Sequence, residues 1–262
     1  MPSEDVPPKF YKYRSLATEQ DQKRVRQIVI ESKIYFPSAK YFNDPFDLNP
    51  AFDLTAPQRV QRRNYEQLSK KFEVLGRMER RKEARRVMKT SMSPQNQMAT
   101  TRGIQDEHTR VMTETVGVLC VCKNRDDILM WSHYADSHRG VCLEFDGIGK
   151  FMAHAQEVKY SKKREPIRPY YDTQEQMMEK ALLTKSDHWA YEDEYRLLCH
   201  KDGPGLVKFR PQNLTGIVVG ANADKATIDL VKGWIGERTE PLILYRASVS
   251  RTEFQLTIST IA

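Results

Sequence analysis

Hydrophobic and polar positions change rhythm several times along the chain, and each rhythm assigns an element. Lys9–Arg14 (KFYKYR) alternates, which predicts a strand with Phe10, Lys12 and Arg14 on one face and Tyr11 and Tyr13 on the other. Thr18 stands where a helix cap belongs, ahead of Val25, Ile28 and Val29 at helical steps, so a helix is expected to about Glu31. Ile34–Phe36 follows as a short strand. From 57 to about 113, Val60, Leu68, Phe72, Leu75 and Met78 keep helical spacing, and Gly76 and Pro94 divide the stretch into two or three helices.

The central stretch carries the strongest pattern. Val116–Cys122 (VGVLCVC) is a continuous apolar run rich in β-branched residues, which predicts a strand buried on both faces. Asp126 or Asp127 caps a short helix from Ile128 to about Asp136, with Ile128, Trp131, Ser132 and Ala135 on one face and His133 on the other. Gly140 turns the chain into a second buried strand, Val141–Asp146. Glu157–Tyr160 alternates as another strand. Thr173 to about Ser186 reads as a helix with Met177, Met178, Ala181 and Leu182 inward. A strand from Glu192 onward places Glu192, Glu194 and Arg196 on one face and Tyr195 and Leu197 on the other. Strands at 206–210, 215–219, 241–249 and 252–259, with a helix over 223–236, complete the pattern. Strands come in runs with helices gathered between some of them. This argues for α+β: a mixed, largely antiparallel sheet core with an inserted basic helical segment. The organisation expected is a single domain over 1–262, with the helical insertion at about 57–113.

Composition narrows the class. The chain has 262 residues, 39% hydrophobic and 29% charged, which describes a globular protein with a sizeable core. No apolar stretch reaches the roughly eighteen residues of a membrane span. The first residues have neither a basic start nor an apolar segment, so neither a membrane nor a signal peptide is expected. Cys120, Cys122, Cys142 and Cys199 lie in predicted strands without a CxxC spacing, which points to buried free thiols in a reducing, cytoplasmic compartment. The net charge of +7 is local, because twelve Lys or Arg face four Glu between Gln58 and Thr90 and the remainder sums to about −1. That 58–90 segment is where an acidic or nucleic-acid partner would bind; its plain alternative is a solvated helix face.

Glu192, Glu194 and Arg196 form the sharpest candidate constellation. Two carboxylates suit acid–base work or the stabilisation of a developing cation, with the Arg setting their charge state. The alternative is an ion pair on a solvated strand face. Trp189 and Tyr191 beside them suit a stacked planar ligand. The polar-aromatic run Trp131, Ser132, His133 and Tyr134, bracketed by two buried strands, reads as a site wall. Asn43, Asp44 and Asp47 could bind a ligand or metal, or simply cap the turn that Pro45 enforces. The six histidines show no HxH or HExxH spacing, so no metal is expected. Neither GxSxG, a Walker loop nor GxGxxG is present.

Four stretches together resemble one family: Phe10–Arg14 (FYKYR), Phe42–Asp47 (FNDPFD), Met130–Tyr134 (MWSHY) with Gly140, and Trp189–Arg196 (WAYEDEYR). They are similar to the bacterial domain-of-unknown-function family 2971, whose uncharacterised members often sit near mobile or phage-defence genes. The order of elements is more weakly similar to the ADP-ribosyltransferase fold. That resemblance implies NAD as a substrate, with Tyr11 or Arg14 contacting it, Tyr134 stacking on nicotinamide, and Glu192 or Glu194 as the catalytic carboxylate. The Glu-Asp-Glu-Tyr-Arg order departs from the usual late-strand pattern of that fold. Three functions are therefore weighed: an NAD-consuming ADP-ribosyltransferase or NAD glycohydrolase with an unknown acceptor; a non-enzymatic defence or sensor module that binds a ligand or partner; and a metal-dependent nuclease built from Asp44, Asp47, Glu144 and the Glu192/Glu194 pair.

Overall fold

The structure, a computed structural model, describes residues 7–70, 76, 78–79, 82, 86, 94–199 and 203–261. Its elements in chain order begin with β1 (Lys9–Arg14), α1 (Glu19–Glu31), β2 (Lys33–Phe36), α2 (Gln58–Lys70) and α3 (Pro94–Glu114). Then come β3 (Gly117–Cys122), α4 (Ile128–Tyr134), β4 (Val141–Asp146), β5 (Gln156–Glu157), β6 (Lys159–Ser161), α5 (Gln174–Leu182) and β7 (Thr184–Ser186). The chain closes with β8 (Glu194–Cys199), β9 (Gly205–Lys208), β10 (Leu214–Val219), α6 (Lys225–Gly236), β11 (Ile243–Val249) and β12 (Leu256–Thr260). Packing divides these elements between two compact units: residues 1–41, 114–160 and 187–262, and residues 42–113 and 161–186.

The first unit is built on an eight-stranded sheet in the order β12-β11-β10-β4-β1-β3-β8-β5. Every neighbouring pair is antiparallel except β10 and β11, which α6 joins in the crossover that a parallel pair requires. The protein is α+β with a mixed, mostly antiparallel sheet. Register sorts the side chains by face. Tyr11 lies opposite Glu144 and Cys122, Tyr13 opposite Cys142, Cys122 opposite Glu194, and Cys120 opposite Arg196, so these residues share one face. Phe10, Leu143, Phe145, Leu119, Val121, Tyr195 and Leu197 occupy the other, where Val25, Ile28 and Val29 of α1 and Val231 and Trp234 of α6 complete the larger core. The smaller core, on the Tyr11 face, is covered by Met130 and Trp131 of α4.

The second unit contains α2, α3, α5 and β7. A parallel bridge pairs Phe52 with Ile167, through bonds from Asp53 N to Ile167 O (2.8 Å) and from Ile167 N to Ala51 O (2.8 Å). This unit's sequence contains the whole formal charge of +7 and leaves the first unit neutral. α2 ends at Lys70 and α3 begins at Pro94. Most of 71–93, and with it the expected inward Phe72 and Leu75, lies outside the described residues; Met78 is exposed.

Three expectations change. The helix over 173–186 stops at Leu182 and only Leu182 is buried, while Met178 is exposed; Thr184 Oγ1 bonds back to Glu179 O (3.0 Å), satisfying a terminal carbonyl as the chain extends into β7. The strand at 157–160 breaks at Val158, whose N–H bonds to Glu194 O (2.9 Å). Ile128, expected inward, is exposed at the start of α4, and Met130 takes its place beside Trp131.

Candidate functional site

The site is assembled at the end of β1. Thr18 accepts from Asp21 N as the cap of α1, and this aims the polar stripe Gln20, Arg24 and Gln27 at Arg14. Asp127 caps α4 the same way, accepting from Met130 N at 2.8 Å. α4 is fixed through Trp131, fully buried, whose indole N–H donates to Arg125 O (2.9 Å) and whose ring packs edge-on against Tyr13 at 5.2 Å. That anchor turns His133 and Tyr134 into a cleft of about 690 Å³ shared with Arg14, Arg24, Lys33 and Tyr35.

The cleft is cationic and aromatic. Among the described residues Asp21 is its one lining carboxylate, and it is engaged by Arg24 (3.8 Å) and by the hydroxyls of Ser15 and Thr18. Burial, and then the neighbouring Arg24, push the Arg14 guanidinium down to about 10, so it stays charged at neutral pH. Trp189, Tyr191, His133 and Tyr134 follow one another at centroid distances of 6.1, 6.1 and 6.4 Å, a chain of rings of which His133 and Tyr134 line the cleft.

The carboxylates separate in role. The strand expected from Glu192 begins instead at Glu194, because Asp187–Glu192 is a 3₁₀ helix and Asp193 takes a left-handed conformation (φ 42°) that breaks the alternation. Glu192 therefore ends the turn before β8 instead of opening the strand. It is buried, and Oε1 accepts a 2.6 Å hydrogen bond from the Tyr134 hydroxyl. Glu194 and Arg196 share a strand face, as expected, yet that face is not solvated. Arg196 Nε and Nη2 donate to Glu194 Oε1 (2.7 Å) and Oε2 (3.2 Å), both residues being buried.

The remaining candidates fall elsewhere. Tyr11 faces Glu144 on the smaller core, and burial followed by that carboxylate pushes its phenol up to about 12. Ser132 Oγ donates to Ile128 O (2.8 Å) and meets His138 Nε2 at 3.1 Å, so it serves the α4 turn. Asn43, Asp44 and Asp47 belong to the second unit; Asp44 Oδ1 accepts from Phe46 N (2.9 Å) and Asp47 Oδ2 lies 3.7 Å from Lys185 Nζ. Sequence reasoning missed Arg24, Lys33 and Tyr35. The Gln20/Arg24/Gln27 stripe on a helix whose opposite face is apolar was the available signal. It also left Glu144 without its partners: Thr215 Oγ1 (2.8 Å), Arg125 (3.3 Å) and Lys9 (3.4 Å). Among the described residues, no three His, Cys, Asp or Glu side chains gather closely enough to hold a metal ion. No helix among them is long and apolar enough to cross a membrane.

Residues 130–197 match the model of a family described as a protein of unknown function, DUF2971. The match supports the resemblance read from the four motifs. It contains the MWSHY and WAYEDEYR stretches, hence Tyr134, Glu192, Glu194 and Arg196. No curated protein and no solved structure matches the chain.

Proposed function

We propose that the Arg14–Tyr134 cleft binds NAD and that Glu192 acts on its nicotinamide–ribose bond, making the protein an NAD-consuming ADP-ribosyltransferase or NAD glycohydrolase. One observation carries this reading: Tyr134, which lines the cleft together with Arg14, donates its hydroxyl to the buried carboxylate of Glu192. Arg14 and Tyr134 sharing one cleft, and Tyr134 bonding Glu192, support the three roles that the ADP-ribosyltransferase resemblance implies. Arg14 supplies positive charge for a pyrophosphate, beside Arg24 and Lys33, which pair with Asp21 and Glu31, and Tyr134 and His133 supply ring faces for nicotinamide.

The chemistry follows from charge. The C1′–N bond breaks with its electron pair leaving on nicotinamide, so the ribose carries positive charge shared with its ring oxygen. A carboxylate held in a water-poor setting stabilises that charge most as the bond breaks. Water or an acceptor side chain then forms the new bond to C1′ and releases its proton. Glu192 is favoured for this role over Glu194, whose two oxygens Arg196 already occupies.

A second reading, a non-enzymatic defence or sensor module, is favoured by the same engagement: Tyr134 and Arg196 hold both carboxylates inside the protein. A metal-dependent nuclease has less support, since Glu144 is bound by Lys9, Arg125 and Thr215. Nicotinamide release by purified protein, with and without cell lysate as a source of acceptor, separates the first two. Release by wild type, lost in Glu192→Gln and kept in Glu194→Gln, is the expected result. A raised melting temperature with NAD but no release assigns a binding module. Absence of both removes the NAD reading.

A further inference from the structure

The second unit contains a pocket that the NAD reading does not use. It measures about 220 Å³ and is built by the 44–50 turn, the 161–165 turn and the residues around Lys180 and Lys185. We propose that it binds a nucleoside phosphate, either as a free nucleotide or as part of a single-stranded nucleic acid.

The cations come first. Lys162, Lys163 and Arg164 are consecutive, and Ser161 ties their turn by donating to Lys163 O (2.9 Å) and accepting from Lys163 N (3.1 Å). Among the described residues no carboxylate pairs with any of the three. Opposite them, Lys180 is neutralised by Asp172 (2.7 Å) and Lys185 by the buried Asp47 (3.7 Å). The carboxylates left on the wall are Asp44, whose Oδ1 accepts from Phe46 N, and the exposed Glu165. Three unpaired cations therefore exceed two carboxylates, in the unit that carries the chain's whole net charge. Adjacent Lys and Arg donors match the several acceptor oxygens of a phosphate better than a single carboxylate.

A second observation supplies the base. Phe46 is 62% exposed at the pocket's rim, and the Arg164 guanidinium lies over its ring, 5.3 Å from the centroid, while bonding to Asn49 O. An exposed ring backed by a guanidinium is a stacking platform for a nucleobase. The turn that presents it is strained, since Leu48 sits at φ 52°, a conformation a branched side chain rarely adopts. Buried Asp44 and Asp47 fix that turn from within, which gives the FNDPFD motif its role as the wall of the pocket.

The test titrates the full chain with 5′-AMP, with inorganic phosphate and with a short single-stranded oligoadenylate. It compares wild type, Lys163→Glu/Arg164→Glu, Phe46→Ala, Glu165→Gln and, as a control on the other cleft, Arg24→Glu. The double charge reversal is expected to weaken AMP or oligoadenylate binding by roughly tenfold or more. Phe46→Ala should weaken AMP and spare phosphate, and Glu165→Gln should tighten both without risk to folding. AMP binding alone identifies a free nucleotide as the source; oligoadenylate binding that AMP does not reproduce identifies nucleic acid. No binding, or binding unchanged by the double variant and Glu165→Gln, overturns the proposal. Loss in Arg24→Glu alone assigns the nucleotide to the first cleft and also overturns it.

Discussion

The Tyr134 hydroxyl donates to Glu192 Oε1 at 2.6 Å, joining the last residue of α4 to the last residue of the 3₁₀ turn before β8. This bond connects a ring that lines the cleft to a carboxylate that burial hides from water. Tyr134→Phe keeps the ring and deletes the donor. The expected cost is about 1–3 kcal/mol in urea unfolding, the penalty for weakening the satisfaction of a buried charged group. Nicotinamide release should fall further in Tyr134→Ala, which removes the ring as well; equal activity in the two variants would leave the ring without a role.

Glu194 and Arg196 predict a stability effect. Arg196→Met strips a bidentate partner from a buried carboxylate and should cost about 3–5 kcal/mol. Replacing both, as Glu194→Leu with Arg196→Met, should recover much of that loss, because an apolar pair needs no desolvation. Denaturation of the two variants side by side checks this; a double variant as unstable as the single one contradicts it.

Lys12 predicts a pH dependence. Burial, aided by Arg14, pushes its ammonium down from 10.5 to about 8. The folded state thus releases this proton before the unfolded chain does, and between these values the unfolded chain binds more protons, so this group makes stability rise with pH. Lys12→Met should therefore be more stable than wild type below pH 8, and its advantage should fade towards pH 10.5. Unfolding free energies of both proteins across that range measure it, and an advantage that grows with pH would show the sign to be wrong.

Gly140 predicts a steric effect. A Cβ there would lie 2.2 Å from the Arg14 carbonyl oxygen, a backbone atom that cannot swing aside. Gly140→Ala should destabilise by about 1–3 kcal/mol and shift Arg14 within the cleft, so that NAD raises the melting temperature less than in wild type. An unchanged melting temperature would mean that the 135–140 turn yields freely.

Much of the architecture was legible because local chemistry dictated it. Thr18 and Asp127 cap the helices they precede, and the buried strands expected at Val116–Cys122 and Val141–Asp146 form as Gly117–Cys122 and Val141–Asp146. The Tyr11/Tyr13 and Phe10 faces of β1 followed from a period of two. Boundaries failed where a single residue broke the period, as Asp193 does at φ 42° and Thr184 does by bonding back to Glu179.

The sequence by itself determined the α+β class, the strand faces, the concentration of charge in one region and the two motif stretches that contain Tyr134, Glu192, Glu194 and Arg196. Those properties depend on residues near one another in the chain. Only the tertiary structure decided that Glu192 meets Tyr134, that Lys33 joins Arg14, and that Lys162–Arg164 face the 44–50 turn. Such pairings unite segments separated by tens of residues. They are set by strand register and by which face each helix buries, and no local period encodes either.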